Sequence, residues 1–506
     1  MKTTLLTITS LLLSSSMFAQ TPGDLDTDFG TGGYTLTDPY ANTGEFYWDL
    51  ITLSDDKIVK VGYTDDGVDT DILVSKFQAN GQPDSTFGVN GFTSIDLSLG
   101  GDEDARGITA LPSGQLLITG YVQTPGTLDA YVMRLDEDGT VDASFGTSNG
   151  HTLINTGDNL IAYGKSVISD GSTIFVGGAV LVGGQSDVFV CKLTQGGGID
   201  NSFSTSGFAT KDIEGGNDQL MQMDMKANGS FVMGGFADSS GVQIGFVTDF
   251  TQFGTPTGNA TYHFNQAGGP NEINDLYVNA NDEVVFVGDA GVFPNVNGYI
   301  GKLTSTLSLD ATFGANGIAM SDPGATTALF LRGVVETPEG DILATGNFAG
   351  ASNEVYAYLL DSTGSSNSNF GGNGDAIISF SIATNEVNAF GCALQSDGKI
   401  IIGGHLESQD FVGSNMFMVR VHPYQDNSSV FELEKETITV YPNPVVSEFR
   451  IDGAITSVAL IDGNGRILMN WETQEAYILP SSISSGVYTV RVQTEQSIGL
   501  ARIIVK

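Results

Sequence analysis

The sequence predicts an all-β chain: a seven-bladed β-propeller followed by a small immunoglobulin-like β-sandwich. Three observations carry this. Short β-prone runs alternate with Gly/Asp/Asn/Ser turns and no segment keeps a helical period. Two phrases recur about every 58 residues, and near residue 438 a different β pattern takes over.

At 506 residues the chain exceeds what one core organises, so several domains are expected. It carries 59 Asp+Glu against 20 Lys+Arg, a formal net charge of −39. Phosphate would be repelled over most of such a surface, which excludes nucleic acid as a partner. Cations, basic partners or simple extracellular solubility all suit it.

Residues 1–19 read as a signal peptide. Lys2 supplies the positive start, Leu5–Ile8 and Leu11–Leu13 the short apolar run, and Ala19-Gln20 a small-residue cleavage point. No stretch reaches about 18 unbroken apolar residues, so no transmembrane segment is expected. No Cys follows the apolar run, which argues against a lipid anchor. Cys191 and Cys392 fall in distant repeats and are expected to be buried free thiols.

The first recurring phrase is Asp/Asn-x-x-Phe-Gly. It stands at Asp26–Gly30, Asp84–Gly88, Asp142–Gly146, Asp310–Gly314 and Asn367–Gly371, with a near copy at Asp200–Ser204 and a degenerate one placed near Phe253-Gly254. The second is an apolar run ending in Gly, at Gly62, Gly120, Gly177, Gly234, Gly288, Gly346 and Gly403. Two markers on one beat define seven units of about four strands, as blades require. In the second unit the strands are expected at Gly107–Leu111, Gln115–Tyr121, Ala130–Leu135 and His151–Asn155. A linear solenoid is the competing architecture. The array, however, opens on the end of a unit (Tyr34–Thr37) and closes at Met416–Val421 without a fourth strand. The N-terminal strand is therefore expected to complete the last blade and close a ring over residues 24–424.

Lys76, Arg134, Lys192, Lys302 and Arg420 share one slot at the end of the third strand, with Asp71, Asp129 and Asp187 five residues earlier in three blades. This suggests a repeated ion pair or a hydrogen bond to a neighbouring turn. The Asp of Asp-x-x-Phe-Gly is expected to cap a tight turn, with Phe packed between blades and Gly at positive φ. Calcium on these turns is the alternative, although no EF-type loop is present and no cofactor is expected. On Leu25–Gly33 and Ser396–Gly403 the array resembles the delta-60 repeat family of bacterial surface proteins. That resemblance implies a propeller-like array and no established enzymatic activity.

Residues 425–437 read as a polar linker, and 438–506 as a sandwich of about six strands. Tyr441-Pro442-Asn443-Pro444, the turn Asp462–Arg466 with Gly465 and Arg466, Gly486–Val492 with Tyr488, and the terminal run to Lys506 resemble the type A sorting domain of the type IX secretion system. The resemblance implies export to the periplasm, passage across the outer membrane by that machinery, and attachment to surface lipopolysaccharide.

Chemistry is sparse. His151, His263, His405 and His422 are scattered, there is no Cys-x-x-Cys, no Gly-x-Ser-x-Gly and no phosphate loop. The Ser396-Asp397-Gly398 turn is similar to the Asp boxes of sialidase propellers but lacks their aromatic end. The expected ligand face is formed by the loops after the second and fourth strands, with Tyr47, Asp65, Asp66, Asp69, Asp102, Asp104, Phe293, Phe348, Asp410 and Phe411 in or near them. Aromatics beside carboxylates there suit an extracellular glycan or a basic protein surface; packing at loop bases is the plainer alternative. A monomeric, non-enzymatic binding or adhesion protein is expected. A secreted hydrolase or lyase using the central pocket, or a structural spacer, are the competing readings.

Overall fold

A computed structural model describes residues 21–424 and 440–506, apart from 41–42, 155–160, 267–268, 322–327, 350–353, 380–385, 408–414, 452–454, 462–466, 473, 475, 481–482 and 495–497. The expected signal peptide (1–19) and linker (425–437) lie outside the described residues.

Between residues 34 and 421 the described strands form seven four-stranded antiparallel sheets. Blade 1 comprises Gly44–Thr52, Ile58–Asp65, Thr70–Phe77 and Phe92–Ile95; blade 2 Glu103–Ala110, Leu116–Thr124, Thr127–Leu135 and His151–Ile154. Blade 3 comprises Ala162–Ser169, Ile174–Val182, Gln185–Leu193 and Phe208–Lys211; blade 4 Asp218–Met225, Phe231–Ser239, Val242–Phe250 and Tyr262–Phe264. Blade 5 comprises Asn271–Val278, Val284–Val292, Asn295–Leu303 and Ile318–Ser321; blade 6 Ala328–Glu336, Ile342–Ala349, Glu354–Leu360 and Asp375–Ser379. Blade 7 has Glu386–Leu394, Ile400–Glu407 and Asn415–Val421, and its fourth strand is Tyr34–Thr37, paired antiparallel with residues 416–419. First strands pack neighbour to neighbour, blade 7 against blade 1 included. This is the closed propeller, not the solenoid.

Apolar side chains gather between blades rather than within one. Val61, Val74 and Phe87 of blade 1 meet Ile108 and Ile118 of blade 2, and Phe29 of the closing segment meets Leu50 and Ile58 of blade 1 across blade 7. Each blade is thus incomplete alone, and closure buries what would be two bare sheet faces.

The Asp-x-x-Phe-Gly phrase is the clasp between blades. Its Phe is fully buried at Phe29, Phe87, Phe145, Phe313 and Phe370. Its Gly takes positive φ, which a side chain would resist, and donates its N–H to the next blade's turn: Gly88 to Asp138 O at 2.7 Å, Gly146 to Gly196 O at 2.7 Å, Gly314 to Thr363 O at 2.7 Å. Gly371 reaches Pro22 O at 2.9 Å and Gly30 reaches Asn80 O at 2.8 Å, carrying the series across the closure. The Asp caps its own turn, as Asp142 Oδ1 does by accepting from Ser144 N at 3.0 Å.

The basic slot completes this clasp with a different partner from the Asp five residues upstream. Arg134 pairs with Asp142 at 2.6 Å, Lys192 with Asp200 at 3.3 Å, Lys302 with Asp310 at 3.3 Å and Arg420 with Asp26 at 2.7 Å. Arg134 and Arg420 also donate to the next blade's turn, at Gln195 O and Ala79 O. In blade 1 the two jobs are divided: Lys57 pairs with Asp84 and Lys76 donates to Glu137 O. The turn carboxylates therefore each have a cationic partner.

Blade 4 departs from the pattern, and the copy placed at Phe253-Gly254 is not the equivalent of the phrase. Gly254 is instead the turn glycine against which Phe203 of blade 3 packs, and Phe253 is exposed. Asp249 occupies the basic slot, pairs with buried Lys226 at 2.8 Å, and Lys226 reaches Ser305 O of blade 5 at 2.9 Å. Here the acid stands in the basic slot and Thr257 takes the place of the phrase's Asp. A lysine at the end of the first strand supplies the cation, so the link between blades is kept.

The second unit, by itself, holds two sheets: Val440–Tyr441, Glu448–Ile451 and Tyr477–Ile478 in one, Ile455–Ile461, Ile467–Glu472, Gly486–Thr494 and Ile498–Val505 in the other. Val445, Phe449, Leu460, Tyr477, Val490 and Ile503 fill the space between them. The two-residue strand at Tyr477 was too short to carry a readable pattern.

Candidate central site

Every first strand contains one extra residue, a β-bulge, facing a glycine on the second strand. The pairing register skips Trp48, Arg106, Lys165, Met221, Asn274, Arg332 and Phe390. A bulge bends the strand and aims its extra side chain away from the ladder. It also pushes a carbonyl into the neighbouring strand. A Cβ on Gly62, Gly120, Gly178, Gly235, Gly288, Gly346 or Gly404 would stand 1.8–2.0 Å from that carbonyl oxygen. The glycine beat of the sequence thus exists to admit the bulge. Where two glycines adjoin, as in blades 3, 4 and 7, the second one does this, not Gly177, Gly234 or Gly403.

All seven bulge side chains line one central cavity of about 590 Å³. Asp49, Tyr121, Tyr163, Gln222, Asp224, Asp275 and Cys392 share its wall. Carboxylates stitch successive first strands together here. Asp49 Oδ2 accepts from Ile108 N at 3.1 Å, Asp224 Oδ2 from Val278 N at 2.7 Å, and Asp275 Oδ2 from Val334 N at 2.8 Å.

Arg106 is held in place by Asp104, at 2.6 Å, and its guanidinium lies over the Trp48 ring, 3.9 Å from the centroid. Arg332 stands 5.3 Å from the Phe330 ring and 6.0 Å from that of Phe390. Burial pulls the Lys165 amine down to about 8; the positive charges of Arg106 and Arg332 push the same way, against Asp49 and Asp104. Burial likewise lifts Asp49 to about 6 and Asp275 to about 7. Three of the 20 basic residues of an acidic chain therefore converge on one cavity.

The expected ligand face is dispersed. Tyr47 is buried, its hydroxyl bonded to Ser75, and Phe348 is buried against Tyr356. Asp104 anchors Arg106. Asp65 and Asp66 cap their own turn, and Asp102 accepts from Thr70 N at 3.1 Å; these three and Asp69 cluster at the junction of blades 1 and 2. Phe293 is 65% exposed at the tip of the blade 5 hairpin. Asp410 and Phe411 lie outside the described residues. After the second strands of blades 2 and 3 there is little loop: Val122–Leu128 and Val180–Ser186 are the ends of paired strands joined by two-residue turns. Cys191 is buried and Cys392 only half-buried on the cavity wall; both are free thiols.

In the sorting segment Asn443 holds the last strand from both sides: its Nδ2 donates to Arg502 O and its Oδ1 accepts from Ile504 N, each at 2.9 Å. Lys506 N reaches Val445 O at 2.9 Å and the Tyr488 hydroxyl reaches Ser484 O at 2.9 Å. Tyr441 is exposed beside Pro442 and Pro444, and Gly486 opens a strand of the four-stranded sheet. Gly465 and Arg466 lie outside the described residues.

The bulge ring escaped the sequence reading. Its signal was present: each bulge residue precedes its glycine by fourteen positions in six blades and thirteen in blade 3. Stacking the repeats on that glycine would have found it.

Two family models agree with this architecture. Residues 439–506 match the secretion system C-terminal sorting domain. Residues 53–87, 111–145 and 168–203 match the β-propeller domain of unknown function DUF5122. No curated protein matches. Among solved structures, a protein of unknown function from Dyadobacter fermentans DSM 18053 is 10% identical, with 77% of this chain and 98% of that chain covered at a TM-score of 0.41. The polysaccharide lyase Uly1 is 10% identical over 75% of this chain and 90% of its own, at 0.44. An ulvan lyase of family PL25, bound to -[GlcA(1-4)Rha3S]-, is 10% identical over 76% and 96%, at 0.43. Likenesses this distant say nothing of activity here. Among the described residues no helix is long and apolar enough to cross a membrane. The chain is an exported, all-β protein of the cell surface or its surroundings, with DUF5122 propeller repeats delivered by a type IX secretion system sorting domain.

Proposed function

We propose that this is an exported, non-catalytic binding protein whose central cavity takes an acidic saccharide. One observation carries the reading: Arg106, Lys165 and Arg332 converge with Trp48, Tyr121, Tyr163 and Phe390 on a single cavity of ligand size. Guanidinium groups recognise a carboxylate or sulfate through paired hydrogen bonds, and the rings cover the apolar faces of sugar units. Anchoring by Asp104 and Trp48 spends the ordering cost of Arg106 before any ligand arrives. Titrating the full chain with acidic and neutral oligosaccharides is the direct test. Binding of the acidic set alone, weakened by Arg332→Ala, is expected; equal binding of neutral sugars, or none of either, refutes it.

A second reading, an eliminating lyase, rests on Lys165. An amine held to about 8, with Arg106 and Arg332 acting on it, can take the proton beside a uronate carboxylate as the C–O bond to the next sugar breaks, and return it to the departing oxygen as the new C=C bond forms. Release of an unsaturated, ultraviolet-absorbing product, lost in Lys165→Met, would replace the binding reading with this one.

A further inference from the structure

Two blade junctions share a constellation that neither the clasp nor the cavity uses. At the junction of blades 1 and 2, Asp71, Asp96 and Glu103 each bring one carboxylate oxygen within 4.8 Å of the others. At the junction of blades 3 and 4, Asp187, Asp212 and Asp218 do the same. The members correspond one to one. Asp71 and Asp187 lie near the start of a third strand, Asp96 and Asp212 directly follow a fourth, and Glu103 and Asp218 open the next blade's first strand. The arrangement recurs after two blades, which a chance meeting of surface acids would not do.

The innermost member supplies a separate observation. Glu103 is 1% exposed and Asp218 0%, yet Glu103 Oε1 and Asp218 Oδ1 have no hydrogen-bond partner. The other oxygen of Asp218 accepts from Ile213 N at 2.7 Å, which leaves Oδ1 as the bare one. A buried carboxylate oxygen without a donor costs several kcal/mol unless something positive meets it. The charged neighbours that act on these two groups are all acidic: Asp96, Asp71 and Asp69 on Glu103, and Asp212, Asp187 and Glu214 on Asp218. The junction between blades 2 and 3 shows the contrast. There Ala162 stands at the register position of Glu103 and Asp218, and Asp129 accepts from Thr124.

We propose that the junctions between blades 1 and 2 and between blades 3 and 4 each bind one calcium-type divalent cation. All donors are carboxylate oxygens, three to a site, on turns and strand ends; this is the hard, oxygen-rich environment that calcium accepts and that softer metals do not prefer. An ion there would tie the third strand of one blade to the first strand of the next, stiffening the ring at two separate places.

The test is calcium titration of the metal-stripped full chain by calorimetry, with thermal unfolding in calcium and in chelator. Two cations per chain are expected, and a midpoint raised by roughly 5 °C at about a hundredfold excess over Kd. Glu103→Gln should remove one site, Asp218→Asn the other, and the double variant both. If either variant fails to fold, Asp96→Asn and Asp212→Asn, at exposed members, serve instead. No calcium heat in the unsubstituted chain, or a stoichiometry these substitutions leave unchanged, overturns the proposal. In that event the buried carboxyls hold protons, and Glu103→Gln should match or exceed the parent in stability.

Discussion

The clasp on the outside of the ring and the bulge at its centre recur on the same beat, yet they are filled by opposite rules. At the clasp nearly every blade repeats the same atoms: Asp on a cation, a buried Phe, a glycine N–H on the next turn. At the bulge the backbone repeats but the side chains do not: Trp, Arg, Lys, Met, Asn, Arg and Phe in turn. Identical chemistry in every unit is what a mechanical joint needs. Seven different side chains on one backbone device make an asymmetric surface inside a symmetric ring, which is what recognition of one ligand needs. Damage at the clasp should therefore appear as lost stability and damage at the bulge as lost binding.

The largest effect is expected at the closure. Asp26 is buried and takes Arg420 at 2.7 Å and Lys399 at 3.2 Å, where the first and last segments meet. Asp26→Ala leaves the buried Arg420 unpaired and should cost about 3–5 kcal/mol in denaturant unfolding. Asp310→Ala, in a more open clasp, should cost about 1 kcal/mol. Equal losses at both would mean that closure is no special joint.

Gly120→Ala tests whether the two regions are as separate as their chemistry. Its Cβ would press on Asp104 O at 1.8 Å, and the bulge carrying Arg106 must yield. We expect about 1–3 kcal/mol of destabilisation together with weaker saccharide binding, since the joint and the side chain share a backbone. A variant that binds normally would separate the bulge from the site.

Lys165→Met should do the reverse. It removes a buried amine for which no clasp is needed, so stability should stay within about 0.5 kcal/mol or rise slightly. Affinity for an acidic oligosaccharide should fall about tenfold, the worth of one charged hydrogen bond. A large loss of stability would make Lys165 a structural counter-ion to Asp49 instead.

Much of the fold was legible before the coordinates, and the reason is the repetition itself. Phe29, Phe87 and Phe145 mark the clasp because each is fixed by the same packing, so one reading of Asp-x-x-Phe-Gly serves several blades. The break at Tyr34–Thr37 gave away the closure because a missing outer strand leaves an unpaired edge. The site was hidden for the converse reason. Trp48, Lys165 and Phe390 share nothing as side chains; what they share is a carbonyl displaced toward a glycine, and only the glycine shows in the sequence. Tyr47 and Phe348 misled because an aromatic near a strand end looks alike whether it faces ligand or core. Blade 4 misled because Asp249 fills the basic slot and its cation, Lys226, comes from the end of the first strand, a position no other blade uses for an ion pair among the described residues.

The smallest effect, and the one that isolates the cavity from the clasp, is its response to pH. The ionisable groups facing Lys165 are Asp49, Arg106 with its anchor Asp104, Tyr121, Tyr163, Asp224, Asp275, Arg332 with nearby Asp289, and Cys392. The folded protein lifts Asp49 to about 6 and Asp275 to about 7, above their ordinary 3.8. Such groups contribute stability at low pH that is lost as pH rises from about 4 through the folded values. Lys165 is displaced the other way, from 10.5 to about 8, so its contribution is poorest below about 8 and recovers as pH rises toward 10.5. The cavity should weigh on stability most between about 7 and 8. Affinity for an anion, by contrast, should fall without a break from pH 5 to 9: ionising Asp49 and Asp275 adds negative charge first, and Lys165 then gives up its positive charge. The arginines keep their charge throughout, so binding weakens but is not abolished. Calorimetric titration across that range reads this directly, and an affinity that rises toward pH 8 would show that the ligand is not held by its negative charge.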